Sequence, residues 1–216
     1  MSFLRPISSA RLRDEFRERT DVWMAAVVPN LPLNIFECAY AWERSERDDS
    51  FVCPIESYWV RGVLALFERE CPKTGRMRKQ CVLRLDDDSV YFVPLFCHPS
   101  FFTNGSAFEL FCDLSREELW LDRILLLDGV PYTSVSLAEQ SASLCDFVDR
   151  CIEHDKSIPT SCCPSMFLRD SESAVGNLSW VQQTGEYYDL SYTNYVRLEV
   201  FDTKADAFIY HVSGYV

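Results

Sequence analysis

Cys151, His154, Cys162 and Cys163 place four soft-metal ligands within thirteen residues of a chain that has only three histidines. Zinc takes tetrahedral sets of Cys and His, and residues three apart are neighbours on a helical turn, so Cys151-x2-His154 forms a half-site at a helix end. The loop containing Pro159 would then have to carry Cys162 and Cys163 back over that end. Adjacent cysteine side chains diverge, whereas zinc knuckles separate their ligands by two to four residues. Two readings stand side by side. In one, the four hold a zinc ion as the only cofactor, a closed site that staples the fold without catalysing. In the other, Cys151 packs as a small hydrophobe, His154 is a cation at a helix C-terminus and the Cys pair is incidental.

Other thiol chemistry is thinner. Cys97, His98 and Cys112 make a looser ligand set with no fourth partner at the usual spacing. A thiol hydrolase would need an activated Cys beside a His, and Cys38 with His211 is the pair on offer, with nothing local to join them. The seven glycines are dispersed, with no two close enough for a Rossmann or Walker phosphate loop, so ordinary nucleotide-dependent enzymes are excluded.

Lys73, Arg76, Arg78 and Lys79 form the one dense basic cluster, in a loop between two strand-like runs. Asp86, Asp87 and Asp88 lie at the other end of the same hairpin. Strands of about seven residues separate the two groups by ~20–25 Å, beyond a physiological Debye length, so neither neutralises the other. The basic loop is therefore either a candidate contact for an acidic segment of a partner protein or a merely solvated loop. The acidic turn reads as a solvated hairpin tip rather than a cation site.

The elements that must hold these residues follow from periodicity. Leu12, Phe16, Trp23 and Val27 give an amphipathic helix over residues 9–28, ended by Pro29, and a less regular helix follows over about 33–47. Tyr58–Phe67, Cys81–Leu85 and Val90–Phe96 make a three-stranded antiparallel meander whose near-continuous apolar runs imply a sheet covered on both faces. Ser115-Arg-Glu-Glu118 is a capping box for a short helical turn, and Asp128-Gly129 turns a hairpin. Ser136-Leu-Ala-Glu139 starts a helix that carries Leu144, Phe147, Val148, Cys151 and Ile152 and ends near His154. A loop fills 155–176, and Tyr195–Phe201 with Ala207–Val212 form a C-terminal hairpin.

Composition sets the outer limits. Formal charge is −12, from 33 acidic against 21 basic residues, which disfavours nucleic acid and anionic membrane as partners. Hydrophobic residues make up 48% and aromatics 14%, enough for a sizeable core and for aromatic anchors at an interface. Charged residues interrupt Met1–Thr20, and no run reaches the ~18–20 apolar residues of a membrane span, so a cytoplasmic or nuclear location with reduced thiols is expected.

Asn30-Leu-Pro-Leu-Asn-Ile-Phe36 resembles the opening of an F-box, which would imply a ubiquitin-ligase adaptor, in keeping with only four lysines. Arg84-Leu-Asp-Asp-Asp-Ser-Val-Tyr91, with the segment from Ser136 to Val148, is similar to the SUKH superfamily of immunity and viral proteins, although Ser89 stands where that family has glycine. Both resemblances imply protein binding without catalysis. The chain is thus expected to be one α+β domain over 1–216 with a mostly antiparallel sheet: a helical part over about 1–50, a sheet-and-helix core over about 51–160 and a β part over about 177–216. It is expected to act as a non-enzymatic protein-binding module, accessory or regulatory, with a zinc- or thiol-dependent hydrolase as the alternative.

Overall fold

A computed structural model describes residues 3–26, 50–56, 59–132, 135, 137–163, 166–168, 192–202 and 207–215. They form mostly antiparallel sheet with a few helices, in two compact units: residues 1–27, 59–133 and 140–163 make the first, and 28–58, 134–139 and 164–216 the second. The helix expected over 33–47 and the F-box-like segment lie outside the described residues. Among the described residues no helix is long and apolar enough to cross a membrane.

The first unit is built on an eight-stranded sheet. Its strands are β1 (Arg5–Pro6), β3 (Val60–Glu70), β4 (Met77–Leu85), β5 (Val90–Phe92), β6 (Ser106–Asp113), β7 (Glu118–Leu127), β8 (Val130–Pro131) and β9 (Thr160–Cys162). They lie in the order β1-β5-β4-β3-β6-β7-β8, with β9 pairing parallel to β7. The meander β3-β4-β5 is present with Val63 opposite Arg84 and Leu83 opposite Tyr91. At Gly62 a Cβ would come within 2.4 Å of the Arg84 carbonyl oxygen, so close approach of β3 to β4 requires glycine there.

Both faces of the sheet are covered. On one, Leu64, Leu66, Leu83, Phe108, Leu110 and Leu121 meet the short helix α2 (Ser100–Thr103) and α3 (Leu137–Asp146), which continues as a π-helical turn over Phe147–Cys151. The Phe147 ring stacks on Phe108 at 4.6 Å and meets Phe101 edge-on at 5.1 Å. On the other face α1 (Ala10–Ala26) sets Phe16 against Ala65, Phe67 and Val82, with the Phe16 ring 5.7 Å from those of both Phe67 and Phe92. Burying such a ring stabilises by about 2–3 kcal/mol.

The acidic turn is tied to α1 rather than merely solvated. Arg84 reaches Asp21 at 2.5 Å and Asp88 at 2.8 Å, and Arg17 donates to the Asp88 carbonyl at 2.7 Å. Ser115–Glu118 is not helical: residues 114–117 form the β6–β7 turn, with Glu117 at φ 56°. Asp113 Oδ1 accepts from the backbone N–H of Ser115 and of Arg116 at 2.8 and 3.0 Å, so the capping chemistry serves a hairpin. Burial raises the pKa of Asp113, but a hydrogen bond from the Ser115 hydroxyl at 2.6 Å, and then those from the two backbone N–H groups, outweigh it and hold the carboxyl below its ordinary value. Asp128 and Gly129, at φ 49° and 81°, make the expected tight turn into β8.

Inside the α1-facing side of the sheet sits an ion cluster that composition does not announce. Glu109, on β6, is 0% exposed. Its Oε1 accepts from Arg61 Nε at 2.8 Å and also from Arg61 Nη2, while Arg123 Nη2 lies 2.7 Å from Oε2. Arg123 stands directly opposite Glu109 across the strand pair, and Arg61 lies diagonally on β3.

The second unit is a four-stranded antiparallel sheet in the order β10-β2-β11-β12, from Met166–Leu168, Ser50–Glu56, Tyr192–Asp202 and Ala207–Tyr215. Strands β11 and β12 pair antiparallel, with a bulge between Val200 and Phe201. Strand β10 falls inside the segment 155–176 expected to be a loop, as does β9 in the first unit.

Removing one partner of a buried, hydrogen-bonded charge pair costs about 3–5 kcal/mol. Glu109→Ala is therefore expected to lower unfolding free energy by about that amount in urea titrations. Replacing Arg61, Glu109 and Arg123 together by Met, Leu and Met should recover most of the loss. A single-variant cost within about 0.5 kcal/mol, the usual surface value, would contradict this role.

Candidate functional site

The cysteine–histidine set is divided by the backbone. Helical geometry stops at Cys151, because Ile152 is extended (φ −89°, ψ 131°) and bridges to Cys97 across a β-pair. Cys151 and His154 therefore do not share a helical face. His154 folds back instead, its Nε2–H donating to the Val148 carbonyl at 2.8 Å and satisfying an acceptor of the π-helical turn. Cys151 neighbours Cys97, and burial followed by that neighbour pushes the Cys97 thiol up to about 12.

Cys162, on β9, is hydrogen-bonded to Cys145 on α3; burial first and then Cys145 raise it to about 12. Cys163 is buried and its thiol donates to the Trp120 carbonyl at 3.3 Å. The four side chains thus go to four different neighbours. Among the described residues no group of three or more His, Cys, Asp or Glu side chains is placed to hold a metal ion. Cys112 is buried at the far end of β6 from Cys97, and His98 Nδ1 accepts from the Ser100 N–H at 3.3 Å. Cys38 and the side chain of His211 lie outside the described residues.

The basic cluster is a different case. Lys73, Arg76, Arg78 and Lys79 are all exposed, and they encircle the end of the β3–β4 hairpin. The turn is fixed by backbone hydrogen bonds from Cys71 N–H to Arg76 O at 2.9 Å and from Gly75 N–H to Cys71 O at 2.8 Å, with Gly75 at φ 65°. Strand alternation sends Arg78 and Lys79 to opposite faces, and Lys79 Nζ sits 5.9 Å from the centre of the Phe102 ring. Met77, between Arg76 and Arg78, is 57% exposed. Arg69, opposite Arg78 in the register, is held by Glu15 at 2.5 Å, whereas none of the four is in an ion pair among the described residues.

This end of the hairpin also projects. Pairing of β3 with β6 ends at Leu66–Ser106, and pairing of β4 with β5 begins only at Val82–Phe92. Residues from Glu68 to Gln80 therefore form a two-stranded ribbon beyond the body of the sheet.

Cys71 closes that ribbon. Hydrogen bonds from the Thr74 side chain and then the Lys73 backbone, aided by the charge of Arg78, lower its thiol to about 7, whereas burial pushes the other shifted cysteines upward. No sequence motif marks Cys71, because its signal is turn geometry.

Elsewhere in the first unit a cavity of about 480 Å³ opens between Phe101, Leu127, Tyr132 and Phe147, with Asp146 and Cys151 at its wall. No protein-family model and no curated protein matches this chain.

Thiolate is the nucleophile, so Cys71 should be alkylated first by iodoacetamide among the described cysteines, at a rate that rises as pH passes through about 7 and then levels. Peptide mass spectrometry reads this directly. A Cys71 rate still climbing in proportion to hydroxide between about pH 7 and 8 would show an ordinary thiol.

Proposed function

We propose that this chain is a non-enzymatic protein-binding module, accessory or regulatory in role, in which the projecting end of the β3–β4 hairpin holds an acidic segment of a partner protein. The observation that supports it most is the set of four exposed cations, Lys73, Arg76, Arg78 and Lys79, none of them in an ion pair among the described residues of a chain with net charge −12. Such a cluster runs against the charge of the rest of the surface. It steers an acidic ligand toward one point while repelling it elsewhere, which gives orientation as well as attraction. Met77, exposed among the cations, adds an adaptable apolar contact. The dispersed cysteines and histidine favour this reading over a zinc- or thiol-dependent hydrolase.

Exposed ion pairs contribute roughly 0.2–1 kcal/mol each, so reversing two charges is worth about tenfold in affinity. Affinity capture with wild-type protein and with Arg76→Glu/Arg78→Glu protein is the test. The wild type is expected to retain a partner bearing an acidic segment, and the variant to bind that partner about tenfold more weakly and to melt at the same temperature. An unchanged set of partners at unchanged affinity would remove the proposal.

A further inference from the structure

The backbone of the same ribbon adds a second kind of recognition. Cys81 O accepts from Val93 N–H at 3.0 Å and Leu85 N–H donates to Ser89 O at 3.0 Å, so the odd-numbered residues of β4 direct their backbone groups away from β3. By the alternation of an antiparallel ladder, Met77 and Lys79 do the same. Arg76 O, by contrast, accepts from Cys71 N–H within the hairpin, which sets the even-numbered residues toward β3. Beyond Val93 no described strand continues along this edge of β4. One outward group is capped: the Gln80 side-chain amide donates to Lys79 O at 2.9 Å. Met77 N–H, Met77 O and Lys79 N–H remain along an edge bordered by the four cations.

We propose that an extended acidic segment of another protein adds to this edge as a strand, pairing with the backbone of Met77 and Lys79 while its carboxylates meet the surrounding cations. The inference rests on the protein-binding reading above and specifies its mode and its ligand. Open edges recruit extended peptides through main-chain hydrogen bonds, and the flanking side chains choose which peptide. Here the flanking charge is basic, so the ligand is acidic. A second copy of the chain is the poorer occupant. Pairing the same edge with itself would set Lys79 and its neighbouring cations against their own counterparts, and each copy carries a net charge of −12. Lysine on an edge commonly blunts strand addition. A ligand that supplies carboxylates turns that barrier into a filter.

Two peptides about ten residues long separate backbone pairing from charge: one alternates Glu with Val, the other Glu with Pro, which offers no N–H at every second position. The full chain is expected to bind the Glu–Val peptide about tenfold more tightly, with slowed exchange of the Met77 and Lys79 amides. Met77→Pro keeps all four cations and removes an N–H that faces the open edge together with the Met77 side chain, whose loss alone Met77→Ala measures; the site is the first position of β4, where proline is tolerated. Met77→Pro should bring Glu–Val binding down to the Glu–Pro level with an unchanged melting temperature. Should that variant fail to fold, the comparison of the two peptides on the wild type still decides. Equal binding of both peptides would overturn strand addition and leave a purely electrostatic contact. Binding of neither would overturn the acidic-segment reading itself. Self-association of the wild type that Met77→Pro abolishes would assign the edge to a second copy and overturn the proposal.

Discussion

The carboxylate of Glu109, held between Arg61 and Arg123 inside the sheet, is the contact on which the arrangement of the first unit depends. A buried charge without partners is costly, so β3, β6 and β7 must stand in the one register that brings Arg61, Glu109 and Arg123 together. A slip of one residue would turn every side chain of a strand to the opposite face. It would carry Glu109 into the cluster formed by Phe108, Leu110 and Leu121 and break the ion contacts at once. With that register fixed, β6 stops pairing at Ser106 and β3 continues to Glu70, while β5 spans only Val90–Phe92 and β4 starts at Met77. Unequal strand lengths around a fixed centre leave the β3–β4 ribbon with no strand paired to either edge among the described residues.

Much of this is local and therefore readable from sequence. The helix around Phe16 and Trp23, the meander and the Asp128-Gly129 turn each depend on patterns within a few residues. Strand β6 shows no such pattern. All eight of its side chains are buried, so it lacks the alternation of a half-exposed strand, and it carries Glu109 at its middle. The apparent capping box at Ser115 has the right donors and acceptors, but they serve a turn, because Glu118 is drawn into pairing with Asp113 across the hairpin. Tertiary pairing overrides a local helical signal there.

The two candidate sites divide along the same line. Lys73, Arg76, Arg78 and Lys79 are close in sequence and lie on one tight hairpin, so proximity in the chain becomes proximity in space. Cys151, His154, Cys162 and Cys163 are almost as close in sequence, yet the chain between them becomes extended at Ile152 and enters the sheet at Thr160. Each side chain finds a different neighbour: Cys97, the Val148 carbonyl, Cys145 and the Trp120 carbonyl. The open edge beside Met77 and Lys79 was not legible at all, since it is defined by where neighbouring strands end.

Hydrogen exchange of the free protein, resolved to single amides, tests the projecting open-edged ribbon most directly. The N–H groups of Arg78 and Gln80 face β3 and should be protected, while those of Met77 and Lys79 should exchange near the rate of unstructured chain. Equal protection of all four amides would mean that the edge is already paired, and would contradict the account.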